Sequence, residues 1–272
     1  MATPEEPAAE RIVVAVDTSA ASLLALELAA DLAAALRTSL AGLYVEEQDL
    51  LHAAGLPFVR EVRSRSGQAA PFTADDLERY WRAVATEARQ ALTRAAQTRH
   101  LTCTFEVVRG RAAQAMSQAA RSARLTGLGS GTLAAGRLGS LARAALGAAQ
   151  CPLLLVPPRR RPGTRWLALL DTPTGAAAVL GLAGALARTT AAPLLLVTPA
   201  LETASLAPDG GTDAAPLPRI GLPDAPSLPQ LVALLDTWNA QGLILAADSG
   251  LAQAAAVERL LTQGRCALLL AR

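Results

Sequence analysis

Apolar residues along this chain alternate between short β-branched or leucine-rich runs and longer alanine- and leucine-rich stretches. Residues 11–16 (RIVVAV) have the composition of a strand buried on both faces of a parallel sheet. Asp17, Thr18 and Ser19 follow, all residue types that cap helix N-termini. The stretch 20–36 then predicts a helix closed by Arg37 and Thr38, and 39–45 (SLAGLYV) a second strand. Strand, helix and strand in about 35 residues form a βαβ unit, whose crossover requires parallel strands.

Residues 48–71 mix Gly, Pro, Ser and Arg without a period and read as a long loop. The helix expected at 73–97 is better marked. Thr73 and Asp76 fit a capping box, Asp75, Asp76 and Glu78 load its positive end, and Leu77, Trp81, Val84, Ala88 and Leu92 trace one face. A strand at 102–108, a helix at 112–123, a weak strand at 125–129, a helix at 140–149 and a strand at 152–156 complete this half.

The pattern then restarts. Residues 157–165 (PPRRRPGTR) have the composition of an extended, solvated connector, although the arginine cluster has the charge to hold an anion. Residues 165–170 (RWLALL) lead into Asp171 and Thr172, repeating 11–18 at an interval of 154 residues. A helix at 175–188 and a strand at 193–198 follow. Cys151-Pro152-Leu153-Leu154-Leu155 is echoed 115 residues later by Cys266-Ala267-Leu268-Leu269-Leu270, so the second copy is about 40 residues shorter. The loss falls in 200–229, which lacks a counterpart to the 73–97 helix and contains a short strand at 219–222. Residues 201–216 are its candidate for disorder.

The expected architecture is therefore α/β, with two Rossmann-like, mostly parallel five-stranded sheets flanked by helices. The expected divisions are a tail at 1–10, a first domain at 11–157, a linker at 158–164 and a degenerate second domain at 165–272. The apolar ends 152–156 and 267–270 would make poor exposed edges, so they are expected to pair, within the chain or between chains.

Composition narrows the chemistry. Hydrophobic residues make up 51% of the 272 and aromatic residues 3%, so Ala, Leu and Val must fill the core. All 25 basic side chains are Arg. The absence of Lys excludes a P-loop lysine, a Schiff base and a lysine general base. A formal charge of +2 calls for neither nucleic acid nor an anionic membrane. The acidic first ten residues do not resemble a signal peptide, and no apolar stretch is long and uncharged enough to span a bilayer. The expectation is a cytoplasmic protein with buried thiols at Cys103, Cys151 and Cys266 and no metal motif.

One segment carries candidate chemistry. In 125–141 (LTGLGSGTLAAGRLGSL), Gly127, Gly129, Gly131, Gly136 and Gly139 lie between a strand and a helix opened by Ser140. Such a loop cradles an anion with free N–H groups at the helix start, or it simply turns the chain with Ser140 as the cap. His52 and His100 lack a nucleophilic or metal-ligating neighbour in sequence. Glu46 and Glu47 could approach a ribose or Mg²⁺, and Arg109 and Arg111 a phosphate; all four equally suit a solvated surface.

A first strand ending in Asp, a second ending in Leu43-Tyr44-Val45, and a glycine loop closing on Gly139-Ser140 before a Cys-Pro-Leu-Leu-Leu-Val strand resemble the universal stress protein family. The loop of that family's ATP-binding members reads G-x-x-G, nine residues, then G-[S/T]. Gly129, nine residues, Gly139 and Ser140 match its second part, while the opening glycine falls at Thr126. If Gly129-Ser130 instead aligns with the family's opening Gly-Ser, the loop is three residues short. The resemblance is strong over 11–156 and weak over 165–272.

It implies a regulatory or stress-response module whose N-terminal copy binds ATP or another adenine nucleotide, with Mg²⁺ entering only with the nucleotide. Site positions carried over are Ala15, Asp17 and Thr18 at the first strand end, Val45 beside the adenine, and Gly127, Gly129, Gly139 and Ser140 around the phosphates. No general base is evident, so at most a weak ATPase is expected. The second copy keeps Asp171 but lacks a Gly-Ser loop after 243–250, and is not expected to hold a triphosphate. The competing reading is a nucleotide-free scaffold, an intrachain pseudo-dimer able to pair again as a homodimer. A Ser-Gly-Gly-x-Asp-Ser pyrophosphatase loop is absent after the first strand.

Overall fold

A computed structural model describes residues 11–56, 58–62, 67–131, 138–148, 150–189, 193–199, 218–222 and 224–272. Its first half comprises β1 (Arg11–Ala15), α1 (Ala20–Leu36), β2 (Ser39–Glu47), α2 (Gln48–Ala54), β3 (Arg60–Val62), β4 (Ala69–Pro71), α3 (Ala74–Thr98), β5 (Cys103–Gly110), α4 (Ala112–Ala120), β6 (Ala123–Gly129), α5 (Ser140–Ala148) and β7 (Leu153–Val156). The second comprises β8 (Arg165–Leu169), α6 (Pro173–Thr189), β9 (Leu194–Pro199), β10 (Arg219–Leu222), α7 (Leu228–Thr237), β11 (Ala240–Ala246), α8 (Ala254–Arg259), a π-helical turn at Leu260–Gly264 and β12 (Ala267–Ala271).

The α/β class and the mainly parallel strands are as expected; the division into two sheets is not. Ten strands form a single sheet in the order β10-β9-β8-β11-β12-β7-β6-β1-β2-β5. Within each half all pairings are parallel, and the order β5-β2-β1-β6-β7 corresponds to β10-β9-β8-β11-β12. The halves meet where β7 and β12 pair antiparallel, with Leu153 opposite Leu270, Leu154 opposite Leu269 and Leu155 opposite Leu268. Each apolar edge thereby satisfies the other's backbone groups, which would otherwise be open for association.

Strand alternation divides the core between two faces. Ile12, Val14, Val16, Leu154, Val156, Leu269 and Ala271 pack with α1, α3 and α6 on one side. Val13, Leu153, Leu155, Leu268 and Leu270 pack with α4, α5, α7 and α8 on the other. Both clusters run through both halves, so the seam lies inside the core. Alanine on α1 lets that helix lie close to the sheet: Ala25, Ala29, Ala30 and Ala33 are fully buried. Ser19 caps the start of α1 by accepting from Ser22 N, and Arg37 ends it in the left-handed region at φ 51°.

The 48–71 segment is not the structureless loop its composition suggested. It forms α2 and the β3–β4 hairpin, with Ala54 packed against Tyr44, Leu77, Trp81 and Val84. The 157–165 connector is docked rather than extended and solvated. Pro157 is buried, Arg161 N donates to Arg265 O at 2.9 Å, and the Arg161 guanidinium pairs with Asp236. The tail at 1–10, Gly136 and the disorder candidate at 201–216 lie outside the described residues.

Truncating a buried leucine costs about 2–5 kcal/mol through lost transfer energy and the cavity left behind. Leu154→Ala and Leu269→Ala should each lower stability by about that amount in urea unfolding. Because the two residues face each other across the seam, the double variant should lose measurably less than the sum. Thr73 accepts from Asp76 N at 3.2 Å at the start of α3. Thr73→Ala should therefore cost about 1 kcal/mol in the same assay.

Candidate functional site

In an open parallel sheet, connections that diverge to opposite sides leave a crevice at the C-terminal strand ends. Here β1 lies between β2 and β6, and the crevice is a cavity of about 150 Å³. Ala15, Val16 and Asp17 line it from β1, Leu43, Tyr44 and Val45 from β2, and Leu128, Gly129 and Gly131 from β6 and its loop. Ser19 and Ser22 of the α1 start, Ala112 and Leu141 close it.

A local hydrogen-bond net fixes the β1–α1 turn. Ser19 N donates to Asp17 Oδ1 at 2.8 Å, and Asp17 N donates to Ser22 Oγ at 2.8 Å. Ser22 Oγ in turn donates toward the carbonyls of Ala15 and Asp17. The Asp17 carboxylate is thus oriented by backbone while remaining exposed. Tyr44 is buried beside it, and burial, with the charges of nearby Glu46 and Asp17, pushes its phenol up to about 12. At neutral pH Tyr44 is therefore a neutral hydrogen-bonding group.

Two glycines shape the opposite wall. A Cβ at Gly129 would stand 2.7 Å from Ser22 N and 2.8 Å from Ala21 C, so the strand end meets the backbone of α1 directly. Gly131 has φ +76°, the left-handed region where side chains are strained. Between them the Ser130 side chain is fully buried, and its Oγ has no hydrogen-bond partner among the described residues. Ser130 N donates to Val156 O at 2.8 Å, and Gly139 N donates to Ser130 O at 3.2 Å.

Of the residues picked out in the sequence, Ala15, Asp17, Val45 and Gly129 line the cavity together. Thr18, Gly127, Gly139 and Ser140 do not. Gly127 packs beneath α1 against Val14 and Ala29, Gly139 stacks on Gly131, and Ser140 is exposed as the first residue of α5. The lining residues Ser19, Ser22, Tyr44 and Gly131 were outside the selected set. Gly131 could have been found from its place in the glycine run; Ser22 and Tyr44 carried no motif.

The other charged candidates are engaged elsewhere. Arg109 pairs with Glu46 at 2.9 Å and Glu78 at 3.4 Å and lies 5.7 Å from the centre of the Trp81 ring. Glu47 Oε2 accepts from Ala112 N at 3.1 Å, serving the start of α4, and Arg111 lies 3.7 Å from Asp49. His52 sits in α2, and His100 follows α3 with φ 55°. Burial raises the thiols of Cys151 and Cys266, the latter to about 12, which suits packing rather than reactivity. Among the described residues no cluster of three metal-ligating side chains occurs, and no helix is long and apolar enough to cross a membrane.

The corresponding strand end in the second half is built differently, with a carboxylate in place of the glycine wall. Asp248, just past β11, accepts from Thr172 Oγ1 at 2.9 Å and from Thr174 Oγ1. Its Oδ1 stands 2.7 Å from where a Cβ of Gly175 would lie, over the first turn of α6. Ser249 Oγ donates to Asp171 Oδ2 at 2.5 Å. The second half thus carries its own carboxylate at this helix start, where the first half has Ser130 and Gly131.

Comparisons with known proteins agree with the fold. The universal stress protein family model matches residues 9–157, more than half of the chain. The chain belongs to that family. No curated protein matches it in sequence. Among solved structures, a universal stress protein from Archaeoglobus fulgidus DSM 4304 is similar over 97% of this chain and 98% of its own, at 13% identity and a TM-score of 0.66. A functionally unknown protein from Pseudomonas aeruginosa PAO1 is similar over 97% and 93%, at 15% identity and a TM-score of 0.61. A universal stress protein solved in complex with cAMP matches 54% of this chain and 96% of its own, at 24% identity and a TM-score of 0.39.

Because Gly129 touches the α1 backbone, Gly129→Ala should cost about 1–3 kcal/mol in urea unfolding. The Asp248 carboxyl is held below the ordinary carboxylate range, chiefly by the hydroxyls of Thr174 and then Thr172. A depressed carboxyl contributes stability above its unfolded value and loses it as the pH falls through the folded one. Unfolding free energy should therefore decline below pH 3.8 less steeply in Asp248→Asn than in the wild type, measured by urea titration at stepped pH.

Proposed function

We propose that this chain is a regulatory universal stress protein module in which the first half, 11–157, takes an adenine nucleotide in the β1–β2–β6 crevice. The second half, 165–272, is a degenerate copy of the same unit that has exchanged ligand binding for an internal carboxylate. The observation that carries this reading is the convergence of Asp17, Tyr44, Val45, Gly129 and Gly131 on one cavity at the strand ends. Leu43, Tyr44 and Val45 supply a flat apolar flank for a base. Asp17 supplies an acceptor for sugar hydroxyls, and the glycine wall brings backbone within reach of a polar tail.

These side chains suit binding more than turnover. Asp17 is the one carboxylate in the cavity lining, its Oδ1 held by Ser19 N, and Tyr44 stays protonated. Nucleotide would then act by stabilising one conformation over another, to the extent that it binds the two unequally. A metal ion would enter on the phosphates, since the cavity itself offers one carboxylate, Asp17.

A second reading, a nucleotide-free scaffold, draws on one observation. The crevice holds about 150 Å³, below the roughly 300–1,000 Å³ usual for ligand pockets. Thermal unfolding with ATP, ADP, AMP and cAMP separates the two. Occupancy at a hundredfold excess over Kd stabilises by about 2.7 kcal/mol. A rise in Tm with at least one nucleotide, lost in Gly131→Val, supports the binding reading. No shift at millimolar concentration of any of the four removes it and leaves the scaffold.

A further inference from the structure

The first-half crevice has a neighbouring cavity at Gly131. This second cavity of about 650 Å³ shares Ser19 and Gly131 with the crevice and continues toward the seam. Its remaining walls come from Ala20 and Ala21 at the start of α1, Pro157, Pro158 and Arg159 of the connecting strap, and Leu261, Thr262 and Arg265 of the second half. Four separate stretches of the chain therefore meet around one space, which adjoins the small crevice at Ser19 and Gly131.

Its charge is one-sided. Arg159 and Arg265 are both exposed, and no carboxylate lies within ion-pairing distance of either among the described residues. No Asp or Glu lines the cavity. Neighbouring arginines behave differently: Arg143 pairs with Glu258 and Arg161 with Asp236. The strap and the second half are also tied together at this point, since Arg161 N donates to Arg265 O at 2.9 Å. Thr262 spends its hydroxyl proton on helix carbonyls, at 2.7 Å from Glu258 O and 3.2 Å from Arg259 O, so the two guanidiniums are the principal donors. Pro157, Pro158 and Leu261 provide apolar flanks that strengthen any charge interaction formed there.

We propose that Arg159 and Arg265 form the phosphate end of a site whose base end is the first-half crevice, so that a bound nucleotide lies across the seam. This rests on the reading of that crevice as an adenine site. It also gives the second half a part in binding, since that half lends Arg265 to the first. In a chain without Lys, Arg159 and Arg265 are the cations that line this cavity among the described residues, and guanidiniums match phosphate geometry through paired donors. The recognised class is a nucleoside di- or triphosphate.

The test is calorimetric titration of the full chain at low ionic strength with adenosine, ATP and inorganic triphosphate. Wild type is compared with the double variant Arg159→Gln/Arg265→Gln, and urea midpoints confirm that both are folded. We expect ATP to bind at least about tenfold more tightly than adenosine, at about 1.4 kcal/mol per factor of ten. The double variant should lose that difference while its affinity for adenosine stays within about twofold, and inorganic triphosphate should bind the wild type and not the variant. Unchanged ATP and triphosphate affinities in the variant overturn the proposal, as does equal loss of ATP and adenosine. If adenosine fails to bind while triphosphate binds through the arginines, the base crevice is wrong and the phosphate end stands. If neither phosphate ligand binds the wild type, the phosphate end is wrong whatever adenosine does.

Discussion

The pairing of two leucine runs, 153–155 against 268–270, is the contact on which the rest of the molecule depends. Each run is the last strand of a parallel sheet and is buried on both faces. Such a strand has no tolerable exposed edge, because its backbone groups would sit unpaired beside leucine side chains. Antiparallel pairing answers both demands, and it forces the flanking helices into register. α1 and α6 pack on one face, while on the other Glu258 of α8 receives Leu138 N at 3.1 Å and Arg143 at 3.0 Å. Two half-cores become one.

That fusion allows the halves to diverge. The first keeps an open crevice, at the cost of a fully buried Ser130 hydroxyl without a partner and a glycine in the left-handed region. The second places Asp248, Thr172 and Thr174 there, joined by hydrogen bonds, while the buried Asp171 Oδ1 has no partner among the described residues.

Much of this was legible in the sequence, for identifiable reasons. β1, α1, β2 and α3 announced themselves because burial on two faces, alanine packing and a Thr73–Asp76 cap leave strong local patterns. Asp17 and Asp171 follow β1 and β8, and Cys151 and Cys266 precede β7 and β12, at matching places in the strand order of the two halves. α2 and the β3–β4 hairpin were missed, because their residues are mostly exposed and α2 depends on packing against α3. Of the positions carried over from the family resemblance, Ala15, Asp17, Val45 and Gly129 line the crevice. Gly127, Gly139 and Ser140 did not reach the crevice, because a motif fixes spacing along a chain and not the face a loop presents. The connector misled through composition: a run of three arginines reads as solvated until Asp236 and the carbonyl of residue 265 are seen to hold Arg161.

The seam also decides how the protein responds to dilution. When two sheets of this kind are joined across separate chains, their union is a bimolecular equilibrium that weakens as concentration falls. Here the second partner is tethered through the strap at 157–164, and tethered partners commonly meet at millimolar effective concentration. The ten-stranded sheet is therefore insensitive to how many copies a cell contains. Its stoichiometry is fixed as well, one first half to one second half, a ratio that no exchange of subunits can alter.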